Sequence, residues 1–171
     1  MFEEEILVGE TERRIRLQTH KGSDIANVIE PEPGERERRV YALIRAKHPD
    51  WRQRKPACGV YNCFGMVFAS RRTSILEPDQ IIKILTDDGY GEIDKDHAGI
   101  GDLALYWDRQ RGECVHAAVI LRRKSIGTTP VLFALSKWNS ACGEDVHRDN
   151  DHCYRNVGDI VLRYFTDRPT T

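Results

Sequence analysis

Tyr61-Asn62-Cys63-Phe64-Gly65-Met66-Val67-Phe68-Ala69 is the stretch in which helix signal, glycine and a candidate nucleophile coincide. Asn62 has the short side chain that accepts hydrogen bonds from the first free amides of a helix, and the apolar run behind it predicts a short buried helix. Ser70-Arg71-Arg72 closes that run and puts cations where the helix dipole favours them. Cys63 then takes the first helical position, where unpaired N–H groups favour thiolate and lower the thiol pKa. Gly65 inside a helix costs about 1 kcal/mol relative to alanine, so a strand or a substrate is expected to pass close to the first turn.

The 171 residues suit one domain with a sizeable core, preceded by an arm. Net charge is −1, and the basic clusters at 36–39, 52–55 and 122–124 are interleaved with acidic residues, so a nucleic-acid partner is not expected. No apolar run reaches membrane-span length, and Met1-Phe2-Glu3-Glu4-Glu5 is acidic where a signal peptide is basic. These features predict no membrane association and a chain made in the cytoplasm. Cys58, Cys63, Cys114, Cys142 and Cys153 are an odd set without framework spacing, which reads as reduced thiols.

Ile6-Leu7-Val8 and the alternation at Ile15 and Leu17 predict two short strands in the arm 1–34, with a loop from 20 to 34 laid over the domain. Val40, Leu43 and Ile44 give helical spacing over 35–47, and residues 50–61 form an irregular approach to the central helix. Pro78 opens a second amphipathic helix carrying Ile81, Ile82, Ile84 and Leu85, stopped by Asp87-Asp88-Gly89. A glycine-rich polar loop follows to Gly101. The remainder reads as a β-meander: strands at 102–107, 113–122, 131–138 and 159–165, with a polar loop over 139–156 and a tail from 167. Helices first and an antiparallel meander afterwards predict an α+β fold over 35–166, its central helix packed on the sheet.

On the strand at 113–122, alternation puts His116 on one face with Cys114, Ala118 and Ile120. If the helix bearing Cys63 packs on that strand, thiol and imidazole form an ion pair, with Cys63 as nucleophile and His116 as general base and acid. The backbone N–H of Cys63 would serve as one oxyanion donor. A third group usually orients the imidazole, and Ser136 and Asn139 are both candidates. Tyr61, Asn62 and Trp138 complete the candidate oxyanion and substrate-binding set, and His147 is a loop histidine that either lines the cleft or sits on the surface.

Asn62-Cys63-Phe64-Gly65-Met66-Val67 resembles the Asp-Cys-Ser-Gly-Leu-Val nucleophile motif of the NlpC-like papain-like cysteine peptidases. Gly101-Asp102-Leu103-Ala104-Leu105-Tyr106 and His116-Ala117-Ala118-Val119-Ile120-Leu121 resemble that family's Gly-Asp-Leu and His-Val-Ala-Ile-Tyr strands. The likeness spans residues 60–138. It implies a papain-like fold, hydrolysis of an amide bond by Cys63 with His116, and no metal or other cofactor. Leu135-Ser136-Lys137-Trp138 is also similar to papain-like proteins that read Ser-Lys-Trp-Gly. Asn62 replaces the family's Asp, and Leu135-Ser136 falls where the family often puts a second histidine.

The expected function is therefore a cysteine hydrolase, a peptidase, amidase or deamidase acting on a peptide, isopeptide or peptidoglycan. A toxin or effector role would require a dedicated export machine and an immunity partner. Two other readings remain: a papain-like domain that has lost catalysis and serves as an interaction module, and a zinc-stabilised module on Cys142, His147, His152 and Cys153.

Overall fold

The segment that fixes the architecture is Leu103–Asp108 (β3), whose first four residues are all buried, as only a strand covered on both faces requires. A computed structural model of the chain describes residues 13–154 and 157–169. Among these, seven strands make one antiparallel sheet in the order β1-β6-β5-β4-β3-β7-β2. The strands are β1 (Arg52–Lys55), β2 (Gly91–Ile93), β3, β4 (Glu113–Ile126), β5 (Thr129–Ser136), β6 (Glu144–Arg148) and β7 (Ile160–Thr166). Three helices, α1 (Glu35–Lys47), α2 (Cys63–Phe68) and α3 (Pro78–Asp87), complete an α+β fold. No helix among the described residues is long and apolar enough to cross a membrane.

Alternation along β3 divides the core in two. Leu103 and Leu105 pack with Cys63 and Phe64 of α2, with Ile81, Ile84 and Leu85 of α3, and with Ala117 and Phe165. Ala104 and Tyr106 pack on the opposite side with Ala118, Ile120, Leu132, Ala134, Trp51, Trp138 and Tyr41 of α1. A bulge between Tyr106 and Trp107 pairs Tyr106 with His116 but Trp107 with Cys114. It breaks the simple alternation expected of β4: Cys114 joins the α2 side, whereas His116 stands by Tyr106 and Trp138.

The helix ends follow local chemistry. Asn62 caps α2 by accepting from the Gly65 amide at 2.9 Å, and Pro78 starts α3. Gly89 turns the chain away from α3 with φ +77°. At Gly65 the neighbour expected from sequence is the backbone of Thr73, whose carbonyl oxygen lies where a Cβ would go.

Several elements differ from the sequence reading. In α1 the core-facing residues are Tyr41 and Ile44, while Val40 and Leu43 are exposed. The approach 50–61 contains edge strand β1, and the loop after α3 contains edge strand β2. The supposed polar loop 139–156 contains β6, which carries buried Glu144 and Asp145. Their charges are met by partners distant in sequence: Arg71 and the Tyr61 hydroxyl at 2.6 and 2.7 Å from Glu144, and Arg45 and the Tyr41 hydroxyl at 3.2 and 2.8 Å from Asp145. Of the two strands expected in the arm, Ile6-Leu7-Val8 lies outside the described residues. The other, around Ile15 and Leu17, forms only an isolated bridge of Gln18 with Asp24. Residues 13–34 lie over the domain, with Thr19 bonded to Asp87, Ala26 to Gln80 and Asn27 to Thr73.

Candidate functional site

Cys63 is the first residue of α2, and α2 packs against β4. The backbone amides of Ala117, Phe64 and Cys63 itself lie close enough to its sulfur to pull the thiol pKa down. Burial is the larger effect and pushes that pKa up, to about 11. The lowered thiol pKa expected from sequence is thus reversed, since a six-residue helix has a small dipole and Cys63 is buried. Ala117 follows His116 in the chain, so the sulfur sits beside the histidine's own backbone. Cys114 Sγ donates to the His116 carbonyl at 3.3 Å.

The His116 imidazole is fully buried, stacked on Trp138 with centroids 4.4 Å apart and planes 11° apart, and meets Tyr106 edge-on at 5.0 Å. Burial holds its pKa well below the ordinary histidine value, with repulsion from His147 and His152 adding to it. Its Nε2 is 3.1 Å from Ser136 Oγ, and the same hydroxyl is 2.8 Å from His147 Nε2. His147 Nδ1 is 2.7 Å from the Arg148 carbonyl. Pairing of β4 with β5 and of β5 with β6 builds this row: Ala118 opposes Ser136, and Ala134 opposes His147.

The hydrogens in the row follow from the carbonyl at its end. That oxygen only accepts, so His147 Nδ1 carries a hydrogen and His147 Nε2 has a lone pair. Ser136 therefore donates to His147 and accepts from Nε2–H of His116. His116 Nδ1 is left as a bare lone pair, buried and without a partner among the described residues. Thiol and imidazole share no hydrogen bond: Cys63 packs on the Ala117 face of β4, whereas the His116 ring points to the opposite face with Tyr106 and Trp138. Both pKa shifts also favour the neutral forms, so the ion pair expected from sequence is not the resting arrangement. Tyr154 stands near both groups. Its ring is 6.0 Å from that of His116, and its pKa is raised to about 12 by burial first and then by the charged form of Cys63.

The other expected site residues are placed as follows. Ser136 meets His116, whereas Asn139 is exposed and accepts from the Ala141 amide in a local turn. Asn62 spends its amide oxygen on Gly65 and Ile75 and its nitrogen on the Ile75 carbonyl, which leaves it a structural cap. Tyr61 points its hydroxyl to Glu144, away from an oxyanion role. Trp138 is buried and stacks on the His116 ring. Its neighbour Lys137, passed over in the sequence, is fully buried and donates to the carbonyls of Cys58 (2.7 Å) and Cys142. His147, expected in a loop at the cleft or on the surface, is instead a buried residue of β6. The alternation Ala134, Ser136 against His147 gave no warning, because β6 contains too few apolar residues to read as a strand.

Compared with family models, curated proteins and solved structures, the chain matches none. Among the described residues no group of three or more His, Cys, Asp or Glu side chains is placed to hold a metal ion, which removes the support for the zinc-stabilised reading. Both ring nitrogens of His147 are already committed.

Proposed function

We infer that the protein is a papain-like cysteine hydrolase that cleaves an amide bond, with Cys63 as nucleophile and His116 as general base and acid. The observation that carries this reading is the bare Nδ1 of His116, a buried base whose other nitrogen is held by Ser136 and whose backbone neighbour Ala117 offers its amide to the Cys63 sulfur. The order of Cys63 and His116 in the chain and the packing of α2 on the strand that carries His116 support the papain-like arrangement, although thiol and imidazole rest on opposite faces of that strand.

In this mechanism the Cys63 thiol, at rest on the Ala117 face of β4, has to reach the His116 side of the strand; there Nδ1 takes its proton as sulfur attacks the carbonyl carbon, and the imidazolium formed keeps its Nε2–H on Ser136. The backbone amides around the sulfur stabilise the oxyanion. Collapse breaks the C–N bond, the leaving amine takes the proton from Nδ1, and a thioester to Cys63 remains. A water molecule, deprotonated by the same Nδ1, then attacks the thioester and releases the acid, and the proton returns to sulfur. Starting from a neutral thiol and imidazole, proton transfer belongs to the attack step.

A second reading, a papain-like domain without catalysis that binds a partner, is favoured by the burial of both groups. The two are separated by a panel of peptides, isopeptides, glutamine side chains and peptidoglycan fragments, incubated with the wild type, Cys63→Ala and His116→Ala. The hydrolase reading expects turnover of one class, reduced about 10³-fold or more in either variant. Turnover of no class, or turnover undiminished in Cys63→Ala, would overturn it.

A further inference from the structure

The geometry points to His147 as a positioning residue for His116, acting through the Ser136 hydroxyl to hold the hydrogen of His116 on Nε2 and keep Nδ1 bare. This rests on the hydrolase reading for its use, but the arrangement of hydrogens can be read without it.

The argument is one of donors and acceptors. Ser136 has one hydrogen, and two imidazole nitrogens lie within hydrogen-bond distance of its oxygen, at 3.1 and 2.8 Å. Which nitrogen receives the hydrogen decides which tautomer His116 adopts. His147 settles this because its Nδ1–H is tied to the Arg148 carbonyl, which leaves Nε2 able only to accept. Two neutral histidines in one row must then be opposite tautomers, Nδ1–H at His147 and Nε2–H at His116. Both must be neutral for the row to hold. Burial holds His147 at a pKa of about 4 and His116 well below the ordinary value. The groups facing His147 include Ser136, Asp151, His152, Trp51, Trp138 and the backbone of Arg148; those facing His116 include Ser136, Tyr106, Trp138, Tyr154, His147 and His152.

Removing the acceptor at position 147 has a defined consequence. If Ser136 keeps accepting from His116, both its own hydrogen and the Nδ1 lone pair stay unsatisfied. When it turns to donate to His116 Nε2, only one group, a new Nδ1–H, is unsatisfied, and the second arrangement is favoured. In that state Nδ1 cannot accept the thiol proton. Glutamine at position 147 offers an amide oxygen to Ser136 and an N–H to the carbonyl, so it preserves the original arrangement.

The test is long-range ¹⁵N–¹H correlation spectroscopy of the full chain near pH 7.5, with His116 and His147 assigned by substitution. Wild type is expected to show His116 as Nε2–H and His147 as Nδ1–H. His147→Gln is expected to keep His116 as Nε2–H, and His147→Leu to move it to Nδ1–H. Where a substrate is turned over, Leu lowers the rate about 10²-fold or more and Gln restores most of it. A wild-type spectrum with the hydrogen of His116 on Nδ1 would overturn the proposal even if neither variant folds, as would a His116 signal unchanged in His147→Leu. Absence of turnover alongside the expected tautomers would count against the hydrolase reading and not against this one.

Discussion

Acidification from pH 7.5 to about 4.5 is expected to destabilise the fold by about 3 kcal/mol or more, with the slope beginning near pH 6.5. The source is the pair of buried neutral histidines. His147 has its pKa lowered from 6.5 to about 4 by burial, and His116 is lowered further in the same direction. Below pH 6.5 the unfolded chain takes up protons on both residues while the folded chain does not, so the unfolded state gains. Stability contributed by neutral His147 is complete above the unfolded value and is lost as pH falls towards about 4. Carboxylates act in a lower window and with mixed sign. At Glu144 burial is outweighed by Arg71 and Tyr61, so its pKa is lowered and its contribution fades in acid. Asp145 has its pKa raised by burial and works the other way. Urea unfolding at steps of half a pH unit measures the slope. His147→Gln should remove about half of it or less, and a flat profile between about pH 6.5 and 5 would contradict the buried neutral row.

Gly65→Ala is expected to cost about 3 kcal/mol or more, although alanine is the better helix former by about 1 kcal/mol. An added Cβ would fall within the van der Waals radius of the Thr73 carbonyl oxygen and against the Tyr61 side chain. Neither is free to retreat. Ser74, next to Thr73, exchanges backbone hydrogen bonds with Val28, Thr73 Oγ1 donates to Asn27, and Asn62 grips Ile75 from the other end. The backbone after α2 is also constrained, since Ser70 and Arg71 have positive φ and the Arg71 amide returns to the Gly65 carbonyl. Relief would require moving α2 and with it Cys63. The denaturation midpoint of Gly65→Ala measures this, and a variant as stable as the wild type would show that the approach of Thr73 is not tight.

The parts of the fold legible in the sequence are those with a local cause. Asn62 as cap, Pro78 as first helical residue, Gly89 as helix stop and the apolar run of β3 each act over a few residues. The parts that were not legible depend on distant partners. Glu144-Asp145-Val146-His147-Arg148 is a polar string until Arg71, Tyr61, Arg45 and Tyr41 arrive to neutralise its carboxylates. Arg52–Lys55 has no apolar residue and becomes a strand only because β6 offers it an edge. A single bulge redirected Cys114, because strict alternation takes no account of an extra residue. At the proposed site, residue type and spacing single out Cys63, His116 and Ser136. His147 is visible in the sequence only as a loop histidine, since the strand that buries it beside Ser136 is too polar to read as one.

The central claim is that His116 serves Cys63 as a base, and the five thiols contain their own control. Burial pushes both Cys63 and Cys142 up to about 11, so on acidity alone the two should be alkylated at comparable rates. The deciding measurement is the alkylation rate of each cysteine by a small neutral reagent from pH 6 to 9, read by peptide mass spectrometry, in the wild type and in His116→Ala. The account predicts that Cys63 outpaces Cys142 by about tenfold or more near pH 7.5, and that His116→Ala removes this advantage while leaving Cys142 unchanged. Equal rates for Cys63 and Cys142 in both proteins would contradict it.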